Sequence, residues 1–205
     1  MSFVRSVAMT AAIGGYFALC ASTDAAIIGV QWKNAGPNTW ELYAEMDPGY
    51  RLTNADLGDD VLNAAPAGVN FGLFVSNGTM ESVSLFMGAN PGFDARGVTL
   101  SPVASGQLLD AAWFTIGGVF GSTVEDTTGG TILGVRILTV ETSPGAALGG
   151  IGPDGETPSR IFLFANDGTA SGTHFGVYDI PQIPSPGGAA LALCSLGFSV
   201  RRRSR

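Results

Sequence analysis

The chain has 205 residues, among them 30 Gly, 11 Pro, ten Lys+Arg, 17 Asp+Glu, one His and two Cys. Such frequent Gly and Pro, the two poorest helix residues, disfavour a helical bundle; the lack of a three-residue Gly period excludes collagen, and the acidic balance argues against nucleic acid as a partner. The length suits one domain with a core of ordinary proportions.

Residues 1–25 read as a secretory signal with a helical apolar stretch. Arg5 supplies the positive start, and Val7 to Cys20 carries no charge and is too short for a permanent span. Small residues follow, and Thr23 and Ala25 suit the −3 and −1 pockets of a signal peptidase, so cleavage is expected between Ala25 and Ala26. Leu19 is too large for a lipobox before Cys20.

From Ala26 the pattern changes to short apolar runs separated by Gly, Asn, Asp and Pro. Ile28, Val30 and Trp32 alternate with polar or small residues. After the loop 34–38, Trp40, Leu42, Ala44 and Met46 alternate with Glu41, Tyr43 and Glu45. Period two with acids on the second face predicts two half-buried strands joined as a hairpin. Residues 55–65 are the best candidate for a short helix. A second hairpin is expected from 69–76 and 79–88 around Asn77-Gly78, a strong turn signal. A two-residue turn would set Leu73 against Ser82. A slip of one residue sets Leu73 against Val83 and Phe71 against Leu85, which predicts a bulge or three-residue loop with Gly78 at positive φ.

Further strands are predicted at 110–116, 131–141, 160–166 and 175–180. The second and third of these are apolar on both faces and read as central strands, while 142–159 reads as a long loop. Seven to nine strands with Gly-rich connections predict an all-β fold, an antiparallel β-sandwich of the Ig-like or jelly-roll kind, over 26–180.

The sequence ends in Ile183-Pro184-Ser185-Pro186-Gly187-Gly188, then twelve uncharged residues, Ala189 to Val200, then Arg201, Arg202, Arg203, Ser204 and Arg205. An apolar run closed by arginines acts as a stop-transfer signal with the arginines kept inside. Twelve helical residues reach about 18 Å against a hydrocarbon core of about 30 Å, which suits a short transmembrane helix of transient use. This order of motif, apolar run and Arg cluster, over 181–205, resembles the PEP-CTERM sorting signals of exported bacterial proteins. Ser185 stands where that family usually has Glu. The resemblance implies processing by an exosortase-like protease at the inner membrane, transient anchoring through 189–200, and a destination at the cell envelope or in the extracellular matrix. It also implies extracellular polysaccharide as a partner.

Removing both ends removes Cys20 and Cys194, so the domain has no thiol for a disulfide, a nucleophile or a metal. Residues 26–185 keep five basic and sixteen acidic residues, a net charge of −11. Candidate chemistry is sparse. His174 is the single His and cannot build a His-rich metal site. Glu41 and Glu45 share a strand face, but positions i and i+4 lie about 13 Å apart, too far for a glycosidase pair. Asp59 and Asp60 are adjacent in a loop. Calcium would draw on Asp56, Asp59 and Asp60, on Asp154 and Glu156, or on Asn166-Asp167-Gly168, none of which matches an EF-hand loop. Trp32 and Trp40 fall on apolar faces and read as core. An exposed Trp113–Tyr43 platform would stack sugars. The sequence therefore names no catalytic residue, metal or cofactor, and the expected role is non-catalytic, with a lectin- or cohesin-like binding module as the alternative and a hydrolase as the third.

Overall fold

The structure is a computed structural model and describes residues 27–58, 72–103, 105–125, 130–169 and 172–183. The signal helix, the transmembrane helix and most of the predicted 55–65 helix lie outside these residues; 55–57 are strand. The described residues hold twelve strands and no helix: β1 (Ile27–Gly36), β2 (Thr39–Met46), β3 (Arg51–Leu57), β4 (Leu73–Ser76), β5 (Met80–Leu85), β6 (Asp94–Val103), β7 (Gly106–Phe120), β8 (Ser122–Glu125), β9 (Thr131–Thr142), β10 (Ala147–Leu148), β11 (Arg160–Asn166) and β12 (Thr173–Asp179).

They form two sheets, every pairing antiparallel. The smaller runs β1-β2-β9-β5, with β8 on the β5 edge of β9. The larger runs β10-β4-β7-β3-β11-β12. β4 and β3 follow one another along one edge of β7, facing 106–109 and 111–120, and β6 lies along the other.

The first hairpin forms as its alternation predicts. Trp32 pairs with Leu42, and Lys33 with Glu41. Pro37 and Asn38 make the turn, Asn38 taking the left-handed conformation (φ 56°) that Asn tolerates. Strands β7, β9, β11 and β12 cover the remaining predicted strands. β3, β6, β8 and β10 escaped prediction; β10 interrupts the stretch expected as one long loop.

The second hairpin does not form. β4 pairs with β7 and β10, whereas β5 pairs with β9 in the opposite sheet. The physical reason is the register conflict seen in the sequence. Side by side, one of the two apolar faces would meet a polar one. Crossing between sheets lets Leu73 and Val75 face Val83 and Leu85 through the core. Asn77, not Gly78, takes positive φ (59°). Gly78 is required for close approach instead, since a Cβ there would sit 2.7 Å from that of Ala146.

β7 hands the chain from the larger sheet to the smaller through Gly121 alone. Just before, residues 115–118 bulge out against a single residue of β3, with Gly117 and Gly118 at φ 83° and 70°. A Cβ on Gly118 would lie 2.7 Å from that of Arg51. The two inner faces share one apolar core, including Trp32, Leu42, Val140, Leu52, Trp113 and Leu163. Each such side chain is worth about 1.5–3 kcal/mol of burial, the main stabilising term in a thiol-free domain.

Residues 180–183 clasp the two sheets together. Ile180 is buried, and its N–H donates to Ser159 O (2.8 Å). The indole N–H of Trp32 donates to Pro181 O (2.9 Å). Ile183 exchanges both backbone bonds with Leu148 (2.8 and 3.1 Å). Residues 181–183, assigned to the tail by sequence, are thus bonded into the domain.

Candidate functional site

The sugar platform expected from Trp113 and Tyr43 is not there. Trp113 is 1% exposed and belongs to the core, its indole N–H donating to Phe86 O (2.7 Å). Thr115, two residues on, is buried as well, and Ile116 is the exposed neighbour. Tyr43 is 7% exposed and sits on the other sheet. Its hydroxyl donates to Glu41 Oε2 (3.0 Å), and Arg136 Nη1 donates to Glu41 Oε1 (2.8 Å). Arg136 also lies 3.8 Å above the Phe86 ring. Burial first, then the Glu41 carboxylate, pushes the Tyr43 phenol up to about 12.

Three more of the carboxylates considered in the sequence, Glu45, Asp154 and Asp167, are engaged in local bonds. Glu45 accepts from Gln31 Nε2 (2.5 Å). Asp154 closes a turn on Thr157, accepting from its hydroxyl and its N–H, and these bonds hold its carboxyl below the usual range. Asp167 does the same with Thr169 (2.7 Å). Asp56 is buried within β3, away from Asp154 and Asp167 in chain and sheet position. Among the described residues no three His, Cys, Asp or Glu side chains gather into a metal site. His174 packs edge-on against Tyr50 (5.1 Å). Asp59, Asp60, Ala25, Ala26, Pro184, Ser185, Pro186, Gly187, Arg201, Arg202, Arg203 and Arg205 lie outside the described residues.

A different surface stands out: the outer face of the larger sheet. Residues directly opposite in neighbouring strands share a face, so the registers can be read as rows. One row runs Val177–Phe162–Asp56–Ala112–Arg96, and the next Phe175–Phe164–Asn54–Phe114–Asp94. A third runs Thr173–Asn166–Arg51–Phe120. At the β4 end this face is closed, because Phe74 and Leu108 are buried and Ser159 Oγ accepts from Phe74 N–H (3.0 Å). Towards β11 and β12 it is open. Phe175 is 67% exposed, and Phe120 and Val177 are also exposed. Phe162, Phe164 and Phe175 form one cluster with centroids 4.7–5.9 Å apart.

Two arginines lie over rings of this face. Arg51 Cζ is 4.9 Å from the centroid of Phe120, and Arg96 Cζ is 5.3 Å from that of Phe114. Arg51 Nη1 also donates to Gly117 O (3.3 Å). Neither forms an ion pair among the described residues. Arg160 pairs with Asp179 (2.7 Å) at one rim. Cation–π contact fixes a guanidinium flat over a ring while its N–H edge stays available to an anion. Sequence reasoning noted that 160–166 is apolar on both faces but took this as burial on both. The available signal was Phe at 162 and 164 in phase with Phe175 and Val177. No family model, curated protein or solved structure matches the chain.

Proposed function

We propose that this is an exported, non-catalytic β-sandwich protein, of the Ig-like or jelly-roll kind, that reaches the cell envelope or extracellular matrix through its PEP-CTERM-like tail. The observation that carries the reading is the clasp. The last backbone pairing among the described residues is Leu148–Ile183, and the next residue, Pro184, begins the sorting motif ahead of the apolar run and the arginines. At the other end Ile27, two residues past the expected signal cleavage, is buried and its carbonyl accepts from the Tyr178 hydroxyl (3.2 Å). The partners in this reading are an exosortase-like protease, the inner membrane in passing through 189–200, and extracellular polysaccharide. Commitment of Glu41, Glu45, Asp154 and Asp167 to structural bonds supports a non-catalytic role.

Intact mass spectrometry of the protein recovered from its host, compartment by compartment, tests this. The expected species begins at Ala26, has lost Arg205 and is found outside the cytoplasm. A cytosolic species carrying both Met1 and Arg205 refutes it. A second reading, a binding module, is favoured by the exposed Phe175 cluster rather than by Trp113 and Tyr43.

A further inference from the structure

We infer that β12 is the contact strand of a two-fold dimer, pairing antiparallel with β12 of a second copy of this chain. This goes beyond the localisation reading and does not depend on it. An edge strand leaves a row of peptide groups without partners, and proteins blunt such edges with bulges, Pro, Lys or short length. Among the described edges that protection is present everywhere except at β12. β6 is bulged between Arg96 and Thr99 and carries Pro102, β5 is bulged between Met80 and Ser82, and β1 is bulged near both ends and carries Lys33. β8 and β10 have only four and two residues. β12 runs seven residues in unbroken register with β11, has neither Pro nor Lys, and pairs with no other strand among the described residues.

The free edge is self-complementary. The Ile180 N–H donates to Ser159 O, next to the Arg160–Asp179 pair. Alternation along an antiparallel strand then turns the N–H and C=O of Thr173, Phe175, Val177 and Asp179 away from β11. Phe164 O, which faces β3 and accepts from Thr53 Oγ1 (3.3 Å), fits the same alternation. A two-fold axis at Gly176 sets Phe175 opposite Val177, and Thr173 opposite Asp179, of the second copy. All four outward residues then exchange both backbone bonds; an axis at Phe175 or Val177 would pair fewer. Phe with Val is a favourable cross-strand pair, and a Thr hydroxyl can donate to Asp. The pairing covers Phe175 and Val177, which are 67% and 45% exposed. Charge favours this side of the domain. β1 packs beside β12, with the Tyr178 hydroxyl donating to Ile27 O, and the two strands hold one Lys, one Asp and one His between them. Residues 26–185 as a whole carry five basic and sixteen acidic side chains, a net charge of −11, so two copies repel least here. A side about 24 Å long and two sheets thick, roughly 20 Å, offers roughly 500 Å² per partner. The total of roughly 1,000 Å² is the lower limit of a specific interface. The expected dimer is therefore micromolar, and the chain is a monomer at the dilutions used for unfolding.

Sedimentation equilibrium of the full chain in mild detergent, with Cys20→Ser and Cys194→Ser, reads the association. Val177→Pro deletes an outward N–H that β11 does not use, and Val177→Lys places a charge on the edge. Circular dichroism verifies both folds, and if Val177→Pro unfolds, Val177→Lys decides alone. The expected result is a reversible dimer that each variant weakens about tenfold or more. Disulfide trapping reads the register. Residues opposed in a hydrogen-bonded pair lie about 5.5 Å apart at Cα, within disulfide reach. Phe175→Cys chains mixed with Val177→Cys chains are expected to cross-link. Either kind alone stays uncross-linked, since diagonal neighbours lie roughly 7–8 Å apart. A chain that stays monomeric at about 100 μM overturns the proposal. So does association driven by the apolar ends, which both Val177 variants would leave unchanged. Cross-linking of either Cys chain with itself as readily as in the mixture also overturns it.

Discussion

The two faces of the larger sheet are built from similar residues and do different things. On the inner face Trp113, Leu163 and Ile161 are sealed against the smaller sheet. On the outer face of the same strands, Phe162, Phe164 and Phe175 keep access to water. β7 shows this within adjacent positions: Thr115 is buried, while Ile116 at the tip of the bulge is 95% exposed. Residue type therefore does not assign a face here. What assigns it is which side the second sheet covers, and beyond that where the 149–159 segment folds back over Phe74 and Leu108.

The strongest way to break this contrast is Trp113→Ala. It opens a cavity and strands the Phe86 carbonyl that accepted from the indole, so about 3–5 kcal/mol of stability is lost, read as the urea midpoint. Phe175→Ser on the other face moves that midpoint by only about 0.5 kcal/mol. A comparable loss from Phe175→Ser would mean that its face is covered in solution.

The clasp comes next. Ile180→Ala removes a buried side chain tying the terminus to both sheets, with an expected cost of about 2–4 kcal/mol. Trp32→Phe keeps most of the packing but loses the bond to Pro181 O, costing about 1 kcal/mol. Hydrogen exchange then reports faster opening at Ile183 than at β9.

The smallest effect is at Tyr43. Its phenol titrates at about 12 against an ordinary value of 10. A raised folded-state value means that the stabilisation is complete below pH 10 and is lost as pH rises through 12. Glu41→Gln removes the neighbouring negative charge, so the Tyr43 phenolate forms at lower pH in absorbance titration at 295 nm. A value that stays at about 12 would leave burial as the whole cause.

Parts of this architecture were legible before any coordinates. Alternation in 28–46 marked the first hairpin, because a period of two leaves each strand one apolar face; its register, Trp32 opposite Leu42, and a turn of Pro37 and Asn38 alone where a loop over 34–38 was expected, came from the structure. The long apolar runs at 131–141 and 160–166 marked interior strands for a similar reason. β3 was hidden because Ala55, Asp56 and Leu57 are buried on both sides, which erases period two. β6 was hidden because its side chains are nearly all exposed and it owes its strand form to hydrogen bonding with β7. The aromatic face was half legible. The stretch 160–166 was seen as apolar on both faces, but the row-mates of Phe162 and Phe164 come from strands β12, β3, β7 and β6, up to 110 residues away in the chain by numbering.

The sequence alone determined the β class and the acidic, cysteine-free character of the residues between Cys20 and Cys194, because composition and local period act over a few residues. Only tertiary structure decided that Asn77-Gly78 is a corner between sheets, that Trp113 is core, and that phenylalanines and arginines meet on one outer face. Those outcomes depend on which strands become neighbours and which side of a sheet is covered, and both follow from pairings between distant segments that no local pattern encodes.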